Sequence, residues 1–119
     1  MRLRPEQHLR RQGDIRAVRE LGSRLDCRSF TLWWRIRDPL EASGVSSRVA
    51  VIASIASVGA AVPRNRAKRR LREIFRSHQN LLPAGSDLLL VARAAVNRRS
   101  FAELENNFTE ACGRIRSVV

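Results

Sequence analysis

The feature that most constrains the fold is a nearly uninterrupted apolar stretch, SDLLLVAR, which runs from Ser86 to Arg93. A strand with one face in water alternates polar and apolar residues, whereas a continuous apolar run is typical of a strand that is covered on both faces. Pro83 and Gly85 break the chain just before this run. The sequence therefore predicts a buried central strand.

Two earlier segments predict strands that pair as a hairpin. CRSFTLWWRIR, from Cys27 to Arg37, alternates between two faces, and RVAVIASI, from Arg48 to Ile55, is a second strand-like run. The alternation gives one face Phe30, Leu32, Trp34 and Ile36 and the other face Ser29, Thr31, Trp33, Arg35 and Arg37. The turn-forming segment from Asp38 to Ser47 lies between the two runs, so a hairpin is expected.

Helical spacing occurs at three places in the sequence. From Gly13 to about Leu21, apolar residues recur on one helical face. A second, strongly basic helix has Pro63 in its first turn and extends to about His78. A capping box of Ser100 and Glu103 opens a third helix, whose apolar residues recur at intervals of three and four.

These elements run α, β, β, α, β, α, with room for one more short strand, which is the pattern of an α+β fold with a small sheet. The chain, residues 1–119, suits a single domain with one modest core. Residues 1–8 are expected to form a flexible tail.

The charge balance indicates an anionic partner. Lys plus Arg total 23 against 11 Asp plus Glu, a net charge of +12, and a polyanion explains this excess better than a small acidic ligand does. No apolar run approaches the roughly 20 residues that span a membrane, and the basic N-terminus lacks the apolar region of a secretory signal. We therefore expect a cytoplasmic protein, in which Cys27 and Cys112 are buried reduced thiols rather than a disulfide.

The most basic segment is RNRAKRRLREIFR, from Arg64 to Arg76, with seven basic residues and one acid. At 100° per residue, its helix has an apolar side that consists of Ala67, Leu71, Ile74, Phe75 and His78. The opposite side carries Asn65, Arg69, Arg72 and Arg76, flanked by Arg66 and Arg70. Ordinary solvated helices mix charges of both signs, and here Glu73 alone can neutralise its neighbours. The pattern favours a nucleic-acid partner over a merely solvated face.

The position of this helix favours RNA over DNA. A helix that reads the major groove of DNA usually follows another helix across a short turn, whereas a strand precedes this one. Evenly spread arginines suit the phosphates and the shape of a folded RNA. A DNA-binding regulator would need a paired helix or a dimer surface, and the sequence indicates neither.

The residue pattern does not predict a protein active site. His8 and His78 have no nucleophile or carboxylate pair beside them in a recognisable motif, and Val58-Gly59-Ala60 lacks the pattern of a phosphate-binding loop. His78 falls on the apolar side of its helix, where a histidine with satisfied hydrogen bonds is expected. We predict no catalytic residue and no metal ligand in this chain.

The segment VGAAVPRNRAKRRLREIFR, from Val58 to Arg76, closely resembles the signature of the bacterial ribonuclease P protein subunit, with Arg64, Asn65 and Arg66 as its RNR core. LRRQGDIRAVRELG is similar to the opening helix of that family, LPAGSDLLLVAR to its last strand and FAELENNF to its closing helix. Together these segments cover most of the chain in the family's order.

The resemblance implies a small, mostly antiparallel sheet packed with three helices, in the order α-β-β-β-α-β-α, with a left-handed β-α-β crossover. It implies a protein that assists a catalytic RNA, the ribonuclease P RNA, in the endonucleolytic removal of the 5′ leader from precursor tRNA. Mg2+ is then bound mainly through the RNA subunit.

The resemblance also implies two sets of binding residues. The RNA subunit would be contacted by Arg64, Asn65, Arg66, Lys68, Arg69, Arg70, Arg72 and Arg76. A cleft between the first helix and the sheet would hold the leader, lined or flanked by Arg11, Ile15, Arg19, Trp33 and Arg35.

Some positions depart from the usual pattern of this family. Ile15 and Arg19 stand where the opening helix usually has aromatic residues, and Pro63 stands where an aliphatic residue is usual. Ala56 and Ser57 stand where the family usually has a lysine pair. Trp33 is either a replacement platform for stacking bases or a core residue, and the sequence leaves both interpretations open.

The rival interpretation is a non-catalytic RNA-binding module, such as a ribosomal protein or an RNA chaperone. Such a module would share the basic helix but would need no leader cleft. The two interpretations differ in whether the protein changes a tRNA-processing reaction.

Overall fold

The apolar run that follows Gly85 forms the central strand of a four-stranded sheet in the structure, a computed structural model that describes residues 3–38 and 46–118. The strands are β1 (Ser23–Asp26), β2 (Phe30–Ile36), β3 (Arg48–Ile52) and β4 (Ser86–Ala92). The helices are α1 (Gln12–Leu21), the one-turn α2 (Ile55–Val58), α3 (Ala61–His78) and α4 (Phe101–Val118). Short 3-10 turns lie at Pro5–Gln7, Gln79–Leu81 and Ala94–Asn97. The predicted α+β fold is confirmed.

The sheet has the strand order β1-β2-β4-β3, in which β3 and β4 are parallel and the other neighbours are antiparallel. The predicted hairpin of β2 with β3 is therefore wrong, because β4 lies between them. The apolar β4 is the strand best suited to the centre of the sheet, where it has a partner along each edge. The parallel neighbours β3 and β4 are joined through α2 and α3, so these elements form a β-α-β unit.

The hairpin that does form joins β1 and β2, and β1 is the extra short strand for which the sequence left room. The strand predicted from Cys27 begins only at Phe30, because residues 27–29 form the turn. The Asp26 carboxylate accepts a hydrogen bond from the Arg28 backbone N–H at 2.9 Å, and Arg28 adopts a left-handed φ of 66°. Most of the loop predicted at residues 38–47 lies outside the described residues.

The alternation of β4 divides the apolar residues between the two faces of the sheet. Leu88 and Leu90 lie in the main core with the apolar sides of α3 and α4. Leu89 lies in a smaller cluster with Val18 of α1 and with Trp33. Helix α1 therefore covers one face of the sheet, and α3 and α4 cover the other.

The predicted flexible tail covers residues 1–8, of which residues 1 and 2 lie outside the described residues, and the remainder makes defined contacts with the sheet and with the end of α3. His8 forms a parallel bridge with Val49, and the Leu9 N–H donates to the Val49 carbonyl at 2.9 Å. The Gln7 side chain donates to that of Gln79, just past the end of α3. Residues 3–8 thus lie along the outer edge of β3, because that edge offers backbone groups that would otherwise lack partners within the sheet.

Both cysteines are buried free thiols, as predicted. Burial raises the pKa of Cys27 to about 12 and that of Cys112 to about 11. The two thiols therefore stay protonated at neutral pH and act as small apolar residues of the core.

Candidate nucleic-acid interface

Helix α3 is attached to the protein by the apolar side that its sequence predicts. Ala67, Leu71, Ile74 and Phe75 have no exposed surface and lie in the main core. His78 is half-buried, with its Nδ1 2.9 Å from the Ile74 carbonyl oxygen and its Nε2 3.2 Å from a Glu105 carboxylate oxygen. Both ring nitrogens of His78 have partners, which suits the predicted structural role.

All eight residues predicted to contact the RNA subunit lie on α3, although Arg64 lies beside the apolar side of the helix, with its Nε atom buried and without a hydrogen-bond partner among the described residues. Asn65, Arg66, Arg69 and Arg72 are exposed, and Arg64, Lys68, Arg70 and Arg76 are half-buried. We call these eight residues the basic ridge. Because they occupy one rigid helix anchored in the core, their charges keep fixed spacings, which is what recognition of a folded polyanion requires.

Glu73, the acidic residue between Arg72 and Ile74 on α3, forms an ion pair with Arg76 of the basic ridge. Arg76 donates from Nε to Glu73 Oε2 at 3.1 Å and makes a second hydrogen bond through Nη2. These hydrogen bonds lower the pKa of the Glu73 carboxyl. Within residues 3–38 and 46–118, no ion pair forms at Arg64, Arg66, Lys68, Arg69 or Arg72. The ridge therefore presents concentrated, uncompensated positive charge.

The local electrostatics oppose this arrangement inside the isolated protein. Ala60, the N-cap residue of α3, provides no side-chain hydrogen bond, and Arg64 and Arg66 lie close to the positive end of the helix dipole. Burial, and secondarily Arg66, lower the pKa of Arg70. The repulsion among these cations is unfavourable in the isolated protein, and bound phosphates would relieve it.

A second surface forms where α1 crosses the sheet. Trp33 is half-buried within the smaller apolar cluster, and the guanidinium groups of Arg19 and Arg24 each lie 6.0 Å from the centre of its ring. Trp33 therefore packs against the apolar cluster and also lies beside two cations, and its role as a platform for stacking bases stays a prediction.

The other residues predicted for the leader cleft occupy different positions around this surface. Ile15 is half-buried and packs in the same apolar cluster, so it supports α1 from within rather than offering a stacking face. Arg11 is the exposed N-cap residue of α1. Arg35 is half-buried on β2, opposite Asp87 in the register of the sheet.

Arg24 is a surface residue that the sequence reasoning missed. It pairs with Trp33 across the β1–β2 hairpin. The four residues of β1 are too few to show a clear alternation, so the signal that could have identified Arg24 was the pairing of β1 with β2.

An ion-pair network holds α1 against the sheet. Asp87 on β4 is 1% exposed and accepts a hydrogen bond from Arg37 Nη1 at 2.5 Å. It also accepts two hydrogen bonds from Arg48, one from Nε at 2.9 Å and one from Nη2 at 2.7 Å. Arg48 also lies 3.5 Å from Asp14 of α1. The hydrogen bonds to Asp87 raise the pKa of Arg48. The position of α1 over the sheet is thus linked to a buried acid of the central strand.

A metal site would need clustered His, Cys, Asp or Glu side chains in the described part of the chain. There, no group of three or more His, Cys, Asp or Glu residues is arranged to hold a metal ion. No helix there is long and apolar enough to cross a membrane. The surfaces around α3 and Trp33 offer positive charge and a half-buried aromatic side chain, which are suited to binding a nucleic acid.

Comparison with known proteins identifies the family. The family model described as Ribonuclease P matches residues 3–116. The chain is 34% identical to the ribonuclease P protein component of Syntrophomonas wolfei, over 84% of this chain and 79% of that protein. It is also 34% identical to the ribonuclease P protein component of Acidothermus cellulolyticus, over 90% of this chain and 86% of that protein. The chain belongs to the ribonuclease P protein family.

Solved structures of ribonuclease P proteins share the fold. The protein from Thermotoga maritima, in complex with 1-(4-fluorophenyl)-2-thiourea, matches with a TM-score of 0.75 at 25% identity and covers 91% of this chain and 99% of that chain. The protein from Staphylococcus aureus matches with a TM-score of 0.74 at 23% identity, over 92% of this chain and 94% of that chain.

Membership of the ribonuclease P protein family settles the class of the protein. The chain is a protein subunit of ribonuclease P, a ribonucleoprotein endoribonuclease of tRNA processing, and its partner in that complex is an RNA. The generic RNA-binding module is therefore disfavoured.

Proposed function

We propose that the basic ridge of α3 binds the catalytic RNA subunit, while the surface around Trp33 binds the 5′ leader of precursor tRNA. The holoenzyme then removes the leader and leaves the mature 5′ end of the tRNA. The observation that carries this proposal is the basic ridge itself, whose single acid is already paired. The sequence placed a strand directly before α3, whereas the structure places the one-turn helix α2 there. We still favour RNA over DNA, because four residues are too few for the first helix of a helix-turn-helix pair.

The proposed role of the basic ridge follows from its charge and its rigidity. Each guanidinium group can donate two parallel hydrogen bonds to a phosphate. Every such contact releases counterions from the RNA, so affinity should fall steeply with salt. Arg69 and Arg72, exposed on the outer side of α3, are the strongest candidates for direct contact.

The proposed leader surface is built for a single strand. An aromatic side chain provides a stacking platform that accepts any base, and Arg19 and Arg24 lie close enough to Trp33 to reach the neighbouring phosphates. Because α1 and α3 lie on opposite faces of the sheet, the protein can hold the leader and the RNA subunit at the same time.

The chemical step, in this proposal, belongs to the RNA subunit. Mg2+ would be bound mainly by RNA phosphates, where it can stabilise charge that develops during phosphodiester cleavage. The described residues offer no carboxylate cluster for this ion. The protein contributes cations that reduce repulsion between the RNA strands. We propose that it works in the cytoplasm.

The deciding experiment is the cleavage of a precursor tRNA by a bacterial ribonuclease P RNA at low magnesium, with and without this protein. We expect the protein to restore maturation of the 5′ end. Tight RNA binding without any rescue of cleavage would contradict the proposal and favour the RNA-binding module.

A further inference from the structure

Two arginines outside the basic ridge, Arg98 and Arg99, lie beside it. They follow the turn Ala94–Asn97 that leaves β4, and this turn is fastened to α3. Asn97 Nδ2 donates to the Pro63 carbonyl at 2.8 Å. The Arg99 carbonyl accepts a hydrogen bond from Arg70 Nη2 at 2.5 Å. The segment therefore has a fixed position next to one flank of α3.

That flank of α3 is itself basic. Arg66 and Arg70 are four residues apart on the helix, and Arg70 reaches directly to the backbone of Arg99. The Nε atom of Arg70 is buried without a hydrogen-bond partner in the described part of the protein. Together, four arginine residues, Arg66, Arg70, Arg98 and Arg99, lie on α3 and on the segment before α4, which the hydrogen bond from Arg70 to the Arg99 backbone joins.

The sequence position of Arg98 and Arg99 is electrostatically unfavourable. Both directly precede Ser100, whose hydroxyl accepts the Glu103 N–H at the start of α4, and the helix dipole is positive at that end. Glu103 compensates Arg99, whose Nη1 lies 3.0 Å from its carboxylate. Arg98 is exposed, and within the described ranges it has no ion pair.

We propose that Arg98 and Arg99, together with Arg66 and Arg70, form a phosphate-binding surface that extends the basic ridge and contacts the backbone of the RNA subunit. This inference rests on the proposed function of α3. The surface is continuous with the ridge through the Arg70–Arg99 hydrogen bond. It lies with α3 and α4, on the opposite face of the sheet from α1, so the RNA subunit is its partner rather than the leader.

Two substitutions that remove the same charge from opposite ends of α4 provide the test. Arg98→Gln removes a cation from the positive end of the helix, and Arg116→Gln removes an exposed cation from its last turn. We expect Arg98→Gln to weaken binding to ribonuclease P RNA and to reduce the salt slope of log Kd by about one. We expect Arg116→Gln to leave both quantities unchanged.

A stability measurement separates a binding role from a structural one. Because the helix dipole disfavours Arg98 and favours Arg116, the first substitution should leave Tm equal or higher and the second should leave it equal or lower. If Arg98→Gln lowered both Tm and RNA affinity, Arg98 would have a structural role rather than a binding role. That result would overturn the inference.

Three further outcomes would each be decisive. Equal RNA affinities and salt slopes for the two variants would refute the extended surface, while the proposed function of α3 would stand. If Arg98→Gln raised the KM for precursor tRNA but left the affinity for the RNA subunit unchanged, Arg98 would contact the precursor tRNA. That result would refute the inference. If the unaltered chain itself did not bind ribonuclease P RNA, the proposed function would fail, and this inference with it.

Discussion

At the scale of single residues, Arg69 tests the basic ridge most directly. It is exposed on the outer side of α3, and its side chain forms no ion pair with another described residue that substitution would break. Arg69→Ala should therefore weaken binding to ribonuclease P RNA and reduce the salt slope by about one, while folding stability changes by less than about 0.5 kcal/mol. A salt titration of RNA binding measures this, with Arg114→Ala on α4 as the control of equal charge. An unchanged slope would remove Arg69 from the contact set.

Trp33 tests the leader surface at the same scale. Trp33→Ala should cost about 1–3 kcal/mol in affinity for precursor tRNA that carries a leader, because a base loses its stacking partner. Trp33→Phe keeps an aromatic face and should retain most of the affinity. Kd values for tRNAs with and without the leader, measured with the assembled holoenzyme, provide the readout. An equal loss for both tRNAs would mean that Trp33 acts through the core alone.

Asp87 is the buried acid of the ion-pair network that reaches α1 through Arg48 and Asp14. It is 1% exposed and binds Arg37 and Arg48. Asp87→Asn should reduce the free energy of unfolding by about 3 kcal/mol, because two partly buried cations would lose the buried carboxylate that they share. Urea unfolding measures this change. Glu110→Gln on the exposed side of α4 removes the same charge and should change stability little. Equal effects of the two substitutions would show that net charge alone is responsible.

At the scale of the element, Gly22, which follows α1, allows the end of this helix to lie close to β2. A Cβ atom at Gly22 would lie 2.3 Å from the carbonyl oxygens of Trp34 and Val18. Gly22→Ala should therefore displace α1 from β2 and cost about 2 kcal/mol or more. Gly113→Ala, in the interior of α4 with no atom within 4 Å, should instead stabilise the protein by about 0.5–1 kcal/mol.

Thermal unfolding of both glycine variants tests this contrast. A Gly22→Ala protein as stable as the unaltered chain would show that α1 can move away from β2 at little cost. Its affinity for the 5′ leader would then report whether the proposed leader surface needs the observed position of α1.

At the scale of the whole molecule, a net charge of +12 on 119 residues opposes folding through self-repulsion. Anions that bind the folded surface should relieve this repulsion and stabilise the native state by mass action. We expect sodium sulfate to raise Tm more than sodium chloride does at equal ionic strength. The double substitution Arg69→Ala/Arg72→Ala should reduce the difference in Tm between the two salts. Identical Tm values in both salts would exclude specific anion binding.

The predictions from sequence succeeded where a pattern is long and local. The apolar run of β4, the two-sided α3 and the capping box at Ser100 each involve residues that are near one another in sequence. They failed at the pairing of β2 with β3, because the partner of a strand depends on the whole sheet. The turn at Arg28 was missed because a single left-handed residue leaves no periodic signal.

The sequence by itself determined the fold class, the charge and most of the basic ridge, because helical periodicity assigns Asn65, Arg69, Arg72 and Arg76, flanked by Arg66 and Arg70, to the side opposite the apolar residues without reference to the rest of the chain. Only the tertiary structure decided which distant residues meet. It placed Arg24 and Arg19 beside Trp33, joined Asp14 to Asp87 through Arg48, and brought Arg99 to Arg70. Such contacts join residues far apart in sequence, so they follow from the order of the strands and the packing of the helices, which no local pattern encodes.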